Sequence, residues 1–168
     1  MFEEKGNYII VENDLPEQVG KLLIENNISI ACAESCTGGM FAQTITDIPG
    51  ISAVFDRGIV TYSNKAKMEE LGVKESTLEQ FGAVSKETAQ EMAMGIQKVA
   101  GTDIGVSVTG VAGPGGGTDR KPVGLVYVCA IYKEEIICRE LRLEGNRASN
   151  RRNSMMNMFD LIRILTKM

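Results

Sequence analysis

A serine that follows an apolar stretch is the first candidate for chemistry, in the segment Ala33-Glu34-Ser35-Cys36-Thr37-Gly38-Gly39. The residues before it have the composition of a buried strand, and the two glycines after it favour the start of a helix. Backbone N–H groups at a helix N-terminus favour an anion or a developing oxyanion. The same position also suits a helix cap, in which Ser35 or Thr37 accepts from the backbone. Both interpretations stay open from the spacing alone.

The general base for such a serine cannot be a histidine, because the chain contains none. Lys65 and Lys67 follow a second strand-like stretch that ends at Tyr62. A lysine in a partly dry site can lose its charge and serve as the base for a serine. Tyr62 could orient water or hold a substrate carbonyl. The alternatives are lysines on a solvated helix face and a tyrosine that packs against the sheet.

Cys36 is the rival nucleophile, since thiols are intrinsically better nucleophiles than hydroxyls. A catalytic cysteine needs a base or a positive field to become a thiolate, and without histidine we favour a packing role for Cys36. The N-terminus lacks the features of a signal peptide, so we expect a cytoplasmic protein. All four cysteines, Cys32, Cys36, Cys129 and Cys138, are then expected to be reduced thiols.

Two further segments suit an anionic ligand. The loop from Gly110 to Gly117 would let the backbone approach a phosphate, although it is neither a P-loop nor a dinucleotide fingerprint. A plain turn between two strands is the alternative. Arg147 and Arg151 lie four residues apart at the start of the last predicted helix and so share one face. Arginine is electrostatically disfavoured near a helix N-terminus, which favours an anionic ligand there.

Composition limits the class of protein. The 168 residues suit one domain, residues 1–168, with an aliphatic core, since 43% are hydrophobic and only 5% aromatic. No apolar stretch approaches the roughly 20 residues of a membrane span. A net charge of −4 with mixed signs argues against nucleic-acid binding. Without histidine or a CxxC pair we expect no metal site, and we expect no cofactor.

Helices and strands alternate along the chain before a hairpin appears. Helix starts are predicted near Asp14 (with Pro16 and Glu17 in the first turn of a capping box), Gly38-Gly39, Lys65, Ser85 and Arg147. Buried strands are predicted at 28–32, 58–62 and 103–108, and the hairpin strands at 124–132 and 136–143. This order predicts an α/β/α three-layer sandwich with a mixed sheet. The segment Ser35–Gly39 (the serine loop) and the segment Gly110–Gly117 (the glycine loop) then both follow the carboxyl ends of strands. Open α/β sheets bind ligands at these ends.

Taken together, these segments resemble the CinA C-terminal domain family, whose characterised members are nicotinamide-nucleotide amidohydrolases. The match is collinear from about residue 14 to 165 and comprises Ala33–Gly39, Ser52–Phe55 with Arg57-Gly58, Thr61–Asn64 with Ala66-Lys67, Gly72-Val73, Gly82–Ser85, Gly110–Gly117 and Lys121–Gly124. The family fold is an α/β/α sandwich. The resemblance implies hydrolysis of the carboxamide of nicotinamide mononucleotide to nicotinic acid mononucleotide and ammonia.

The resemblance also implies roles for individual residues. Ser35 matches the nucleophile and Lys67, rather than Lys65, matches its base. Ser52 and Tyr62 fall on active-site positions that would support or position that pair. The implied substrate-binding positions are Thr37, Gly38, Gly39, Thr109, Gly110, Gly113 and, for the phosphate, either Arg147 or Arg151.

Two positions depart from the family pattern. Asn146 stands where the family commonly has aspartate; it can still cap a helix but lacks the charge that would orient an arginine. Lys65 replaces a usual acidic residue, and a positive charge close to Lys67 would lower the pKa of that amine. The larger nucleotide-type domain often fused ahead of this one is not in the sequence, so we expect a stand-alone form.

The expected partner is a small-molecule substrate, nicotinamide mononucleotide, with neither nucleic acid nor membrane. A homodimer is expected, for which the Met155, Met156 and Met158 side of the last helix is a candidate surface, although a core role is the expected one. The alternative function is a catalytically silent nucleotide-binding domain that acts through protein contacts, by analogy with family members linked to competence.

Overall fold

The computed structural model describes residues 14–167 and the backbone of two short strands at 3–5 and 8–10. The elements in chain order are β1 (Glu3–Lys5), β2 (Tyr8–Ile10), α1 (Leu15–Glu25), β3 (Ile30–Glu34), α2 (Met40–Thr46), β4 (Phe55–Val60), α3 (Asn64–Leu71), α4 (Glu75–Phe81), α5 (Lys86–Ala100), β5 (Ile104–Gly110), β6 (Leu125–Tyr132), β7 (Glu135–Arg142) and α6 (Arg147–Leu165). A 3-10 helix, Ile51–Ala53, precedes β4. β1 and β2 pair with each other.

Five strands form one mixed sheet in the order β4-β3-β5-β6-β7. β4, β3 and β5 are parallel, whereas β6 and β7 run antiparallel to their neighbours. Helices α1, α2 and α6 cover one face of the sheet, and α3, α4 and α5 cover the other. The predicted three-layer sandwich with a mixed sheet is therefore confirmed. The carboxyl ends of the three parallel strands meet at one edge.

Strand β3 shows how the sequence fits a doubly covered sheet. Ile30 and Cys32 belong to the core on the α6 side, whereas Ala31 and Ala33 belong to the core on the α5 side. Successive side chains of a strand point to opposite faces, so a strand covered on both faces is apolar at successive positions. Glu34 breaks this apolar run, yet it is only 1% exposed. A buried carboxylate at the end of a strand requires partners, which the serine loop supplies.

Helix α5 closely approaches the helix that carries Lys67. A Cβ at Gly95 of α5 would lie 2.1 Å from the carbonyl oxygen of Leu71, so this approach requires a glycine. Leu71 and Met92 also share an apolar cluster between the two helices. The contact fixes α3, and with it the backbone from which the Lys67 side chain extends.

The methionines of α6 lie in the core. Met155 and Met156 are each 6% exposed and Met158 is fully buried. Next to them Phe159 stacks on Phe41 of α2, with ring centroids 4.4 Å apart. Their expected core role is confirmed, so a dimer would have to use a different surface. Among the helices of residues 14–167, none combines the length and the apolar character that a membrane span needs.

Most predicted elements are present with shifted ends, but some predictions were wrong or incomplete. Helix α4, the 3-10 helix, β1 and β2 were not predicted. Asp14 has helical backbone angles and makes no side-chain cap. Its carboxylate instead accepts from the Gln18 side-chain amide at 2.7 Å. The capping box predicted at this helix start is therefore wrong.

Cys129 and Cys138 form a disulfide, so the expectation of four reduced thiols is wrong for this pair. They are register partners on β6 and β7, with Cα atoms 4.1 Å apart. The predicted hairpin around residues 133–135 already places the two cysteines opposite each other, and this is the signal that sequence analysis missed. Cys32 and Cys36 are free and buried.

Candidate active site

The carboxyl ends of β3, β4 and β5 bring the predicted residues to one edge of the sheet. Ser35 follows β3, Tyr62 lies two positions beyond β4, and Thr109 is near the end of β5. The Ser35 N–H donates to the carbonyl of Val108 at 3.1 Å, which continues the strand pairing past the end of β3. The serine is thus held by the sheet ladder itself and not by a free loop.

Ser35 and Lys67 are in direct contact. Lys67 Nζ lies 3.1 Å from Ser35 Oγ and 2.7 Å from the carbonyl oxygen of Thr61. Lys67 is 1% exposed and Ser35 is 8% exposed. The other candidate lysine, Lys65, has a side chain that is 78% exposed and pairs with Glu69. The structure therefore brings Lys67, and not Lys65, to the serine.

Helix geometry explains how Lys67 reaches this place. Helix α3 begins directly after β4, with Ser63 as its cap; the Ser63 hydroxyl accepts from the Ala66 N–H at 3.0 Å. Side chains on an α-helix lean toward its N-terminus. Lys67 lies one turn into the helix, so its side chain extends back toward the strand end where Ser35 lies.

Burial lowers the pKa of the Lys67 ammonium from its usual 10.5, because the charged form loses water. The Cys36 thiolate would act in the opposite direction, but burial also raises the pKa of that thiol to about 12. Cys36 is consequently a neutral thiol near neutral pH, which fits the packing role favoured for it. Burial is therefore the cause of the lowered pKa of Lys67. Lys65, which the sequence analysis suggested as a cause, is exposed. A buried amine beside a hydroxyl is an arrangement in which the amine can accept the hydroxyl proton.

Glu34 organises the serine loop, and sequence analysis did not identify it. One carboxylate oxygen accepts from the Thr37 hydroxyl at 2.5 Å and from the N–H groups of Gly39 and Phe41, each at 3.1 Å. The other oxygen accepts from the N–H of Ala42 at 2.9 Å. The first N–H groups of a helix lack partners within the helix, and a carboxylate there is also favoured by the helix dipole. Glu34 thus provides the cap that was expected from Ser35 or Thr37.

This cap changes where an oxyanion could bind. The start of α2 was expected to receive it, but the Glu34 carboxylate already occupies that position. The Gly38 N–H donates to the Ser35 carbonyl at 3.0 Å, and the Gly39 N–H donates to Glu34. Gly38 and Gly39 have φ angles of 61° and 99°, so the turn itself requires glycine at both positions.

Thr109 and the glycine loop lie beside the serine loop, and packing accounts for their residue types. Thr109 is 1% exposed and its hydroxyl donates to the Ala83 carbonyl at 2.8 Å. A Cβ at Gly110 would lie 2.7 Å from the Leu125 carbonyl oxygen, and the glycine at 113 likewise leaves room for a valine side chain. These residues, like the buried Thr37, have structural roles that do not depend on a substrate.

Arg151 braces the serine loop from α6. Its Nε donates to the carbonyl of Cys36 at 3.1 Å and its Nη2 to the carbonyl of Thr37 at 2.8 Å. A guanidinium that binds two successive carbonyls fixes their orientation. Arg151 therefore holds the serine loop in place.

Arg147 lies one turn earlier on α6 and is exposed. It donates to the Gly113 carbonyl at 2.8 Å and to the Tyr62 hydroxyl at 3.2 Å. Tyr62 is itself 62% exposed. Arg147 thus joins the glycine loop to the strand end beside Lys67, and of the two arginines it is the one more open to an anion from solvent.

Two asparagines position the start of α6. Asn146 caps the helix, since its side-chain oxygen accepts from the Ser149 N–H at 3.0 Å. Asn150 is fully buried and donates to the carbonyls of Ala112 at 3.1 Å and Gly145 at 2.9 Å. It ties α6 to the glycine loop. Sequence analysis missed Asn150, because no motif distinguishes it from the other polar residues of this helix.

Ser52 is not part of this site within one copy of the chain, which corrects its expected supporting role. It is exposed in the 3-10 helix that precedes β4. The Ile30 N–H, at the start of β3, donates to the Val54 carbonyl, so this segment lies at the opposite edge of the sheet from Ser35. At ~3.3 Å per residue a strand as long as β3 spans roughly 16 Å, too far for Ser52 to contact the Ser35–Lys67 pair.

Residues 12–166 match the family described as the CinA C-terminal domain. A putative competence-damage inducible protein of Acetivibrio thermocellus is 58% identical over 156 residues, which are 93% of this chain and 38% of that protein. A protein of the same description from Clostridium novyi is 52% identical over 90% of this chain and 37% of its own length. The chain thus spans less than two fifths of the curated relatives it matches.

Solved structures share the whole fold. The competence/damage inducible protein CihA from Agrobacterium tumefaciens is 38% identical, with a TM-score of 0.87 over 94% of this chain and 98% of that one. A CinA superfamily protein from Klebsiella pneumoniae is 33% identical, with a TM-score of 0.87 over 92% of this chain and 98% of that one.

Replacing Glu34 by glutamine tests its role as the cap of the serine loop. The amide NH₂ of glutamine would face backbone donors, so the Glu34→Gln variant should lose about 3 kcal/mol of unfolding free energy in urea. Glu70→Gln, at an exposed position of α3, removes the same charge and should change stability by less than about 0.5 kcal/mol. Equal stability of the two variants would contradict the capping role.

Replacing Lys67 by methionine tests the lowered pKa of the amine. A lysine whose folded pKa lies below its unfolded value binds more protons when unfolded, so stability should rise with pH between the folded pKa and about 10.5. Urea unfolding from pH 6 to 10 should show this rise for the wild type relative to Lys67→Met. A constant difference between the two proteins across that range would contradict the lowered pKa.

Proposed function

Because the chain belongs to the CinA C-terminal domain family, we propose that it hydrolyses the carboxamide of nicotinamide mononucleotide to nicotinic acid mononucleotide and ammonia. The observation that supports this most strongly is the 3.1 Å contact between the buried Lys67 amine and the Ser35 hydroxyl. A serine activated by a neutral lysine is a recurring solution for acyl transfer without histidine. The product, nicotinic acid mononucleotide, would then be reused in pyridine nucleotide salvage.

In the first step Ser35 attacks the amide carbon. Its hydroxyl proton passes to the Lys67 amine as the Oγ–C bond forms, and the carbonyl oxygen becomes an oxyanion. When the tetrahedral intermediate collapses, the C–N bond breaks and Lys67 gives the proton to the departing nitrogen. Ammonia leaves, and the nicotinoyl group remains as an ester on Ser35. A positioned base of this kind typically contributes ~10²–10⁴ in rate.

The second step returns the enzyme to its starting state. Water attacks the ester, Lys67 accepts the water proton, and the proton is returned to Ser35 Oγ as the acid leaves. The amine must be neutral before each step. Its burial, which lowers the pKa, favours that form.

The oxyanion needs donors that the serine loop has not already used. The N–H groups of Ser35, Gly38 and Gly39 are used within the fold. We assign the oxyanion to the N–H groups of Cys36 and Thr37, whose carbonyls Arg151 holds in place. Removing one such donor typically costs ~10²–10³ in rate.

The phosphate of the mononucleotide is assigned to Arg147. Its guanidinium is exposed and lies between the glycine loop and Tyr62. Arginine suits phosphate because its fork of donors matches two phosphate oxygens. Tyr62 would then lie between the phosphate side and the reacting side of the substrate. A charged nucleotide does not cross a bilayer, so the proposed site of action is the cytoplasm.

A second candidate function is a silent nucleotide-binding domain that acts through protein contacts. The descriptions of the relatives name competence damage and no reaction, and this favours the silent domain as a second candidate. An ammonia-release assay with nicotinamide mononucleotide separates the two: binding without turnover would support the silent domain.

Replacing Ser35 by alanine should reduce ammonia release by at least about 10³-fold, because the nucleophile is lost. Binding of nicotinamide mononucleotide, measured by calorimetry, should remain. The matched control is Cys36→Ala, which removes the neighbouring thiol and should keep activity within a few-fold. Ammonia release by Ser35→Ala near the wild-type rate would refute the serine mechanism.

Replacing Arg147 by alanine should raise KM for nicotinamide mononucleotide by about 10- to 100-fold, since a charge-assisted contact with phosphate is lost. With nicotinamide riboside, which lacks the phosphate, the same variant should behave like the wild type. An equal loss on both substrates would show that Arg147 acts on the loops and not on the phosphate.

A further inference from the structure

Thr61 carries a buried hydroxyl with no hydrogen-bond partner. The residue is fully buried, and its Oγ1 has none among the groups of the described residues. Buried polar atoms in folded proteins are nearly always paired, because an unpaired one loses its bond to water without replacement. At this buried position, directly after β4, a valine would fill the same space without an unpaired hydroxyl. The threonine therefore calls for an explanation.

The backbone of Thr61 already belongs to the site. Its N–H donates to the Glu34 carbonyl at 2.8 Å, and its carbonyl accepts from Lys67 Nζ at 2.7 Å. The flanking Val60 and Tyr62 are 49% and 62% exposed, so the Thr61 side chain points inward. Alternation puts it on the same face of the strand as Ile59, the face that α3 covers. The hydroxyl and the Lys67 side chain thus share one side of the strand.

The number of hydrogens on the Lys67 nitrogen changes during the proposed reaction. A neutral amine has two hydrogens and one lone pair. In the proposed reaction the lone pair faces the Ser35 hydroxyl, 3.1 Å away, and the Thr61 carbonyl accepts one of the two amine hydrogens. An ammonium has three hydrogens and no lone pair. The N–H that the transferred proton forms points back at Ser35 Oγ and a second N–H is bonded to the Thr61 carbonyl, so the third N–H needs an acceptor.

We propose that the Thr61 hydroxyl oxygen accepts the third N–H of Lys67 when that amine takes the serine proton. The inference rests on the serine–lysine chemistry proposed above. One proton leaves Ser35 Oγ and bonds to Nζ, and no other bond to hydrogen is broken. In the resting structure the hydroxyl is unpaired, so the bond forms only after the Thr61 side chain turns toward Nζ. The bond is strongest when the lysine is charged, because the donor is then an ammonium.

Such a bond would act on the rate and not on the resting fold. An interaction that is stronger in the charged state than before it stabilises the transition state selectively. A bond from a charged donor is also stronger than one between neutral groups. Among the titratable groups near the amine, the Cys36 thiol is neutral and the Lys65 ammonium is exposed, so neither provides this acceptor.

The test replaces Thr61 by valine, which keeps the shape and the backbone carbonyl, and by serine, which keeps the hydroxyl. A fluorophosphonate probe phosphonylates an activated serine, with loss of fluoride, and needs no knowledge of the natural substrate. Its labelling rate on Ser35 should fall by about 10-fold or more in Thr61→Val and return to within a few-fold of wild type in Thr61→Ser. Thermal unfolding of Thr61→Val should occur at the same temperature or higher, because an unpaired hydroxyl has been removed.

Kinetics with nicotinamide mononucleotide separate this inference from the proposed substrate. In Thr61→Val, kcat should fall while KM is unchanged. Labelling of Thr61→Val at the wild-type rate, or a large fall in its stability, would overturn the role of the hydroxyl. If the three proteins are labelled at the expected relative rates but the wild type releases no ammonia, the proposed substrate is wrong and the role of Thr61 is supported.

Discussion

The removal of one lysine amine from water is the constraint on which the site depends. Lys67 extends from the first turns of α3 into a buried position between the Ser35 hydroxyl and the Thr61 carbonyl. Burial of an unpaired ammonium is unfavourable, so the folded state favours the neutral amine. That preference lowers stability at neutral pH, and it is also what would let the amine act as the proposed base. The close approach of α5 to α3 at Gly95 and the strand pairing around Ser35 hold the two groups together against this cost.

The serine loop illustrates how a fold can supply rigidity with few residues. Glu34 accepts four hydrogen bonds from the loop and the start of α2, and Arg151 of α6 donates to two loop carbonyls. These two charged side chains hold the loop through its backbone and the Thr37 hydroxyl. The helix N-terminus, which in many proteins binds an anionic ligand, is used here for an internal carboxylate. The loop is consequently set before any substrate arrives.

Sequence patterns predicted those parts of the site that local rules determine. A strand end followed by two glycines located Ser35, and a helix directly after the next strand located the region of Lys67. The spacing of residues in the sequence did not distinguish Lys67 from Lys65. The fold does, because Lys67 is buried and Lys65 is exposed. Asn150 was missed because its contact with Ala112 joins elements that are distant in sequence. Glu34 and the Thr61 hydroxyl were missed because no sequence pattern shows that these two polar side chains are buried. Ser52 was expected at the site from family resemblance, but strand direction places it at the opposite edge of the sheet.

The charge state of Lys67 in the resting protein is the most direct test of this account. Nuclear magnetic resonance of protein labelled with ¹³C at lysine Cε would follow each amine through a pH titration, with the exposed Lys65 as an internal reference. The account predicts that the pKa of Lys67 lies below the usual 10.5, because burial disfavours the ammonium. A Lys67 amine that stays charged up to pH 10.5 would contradict it, because no base would then be available to the serine.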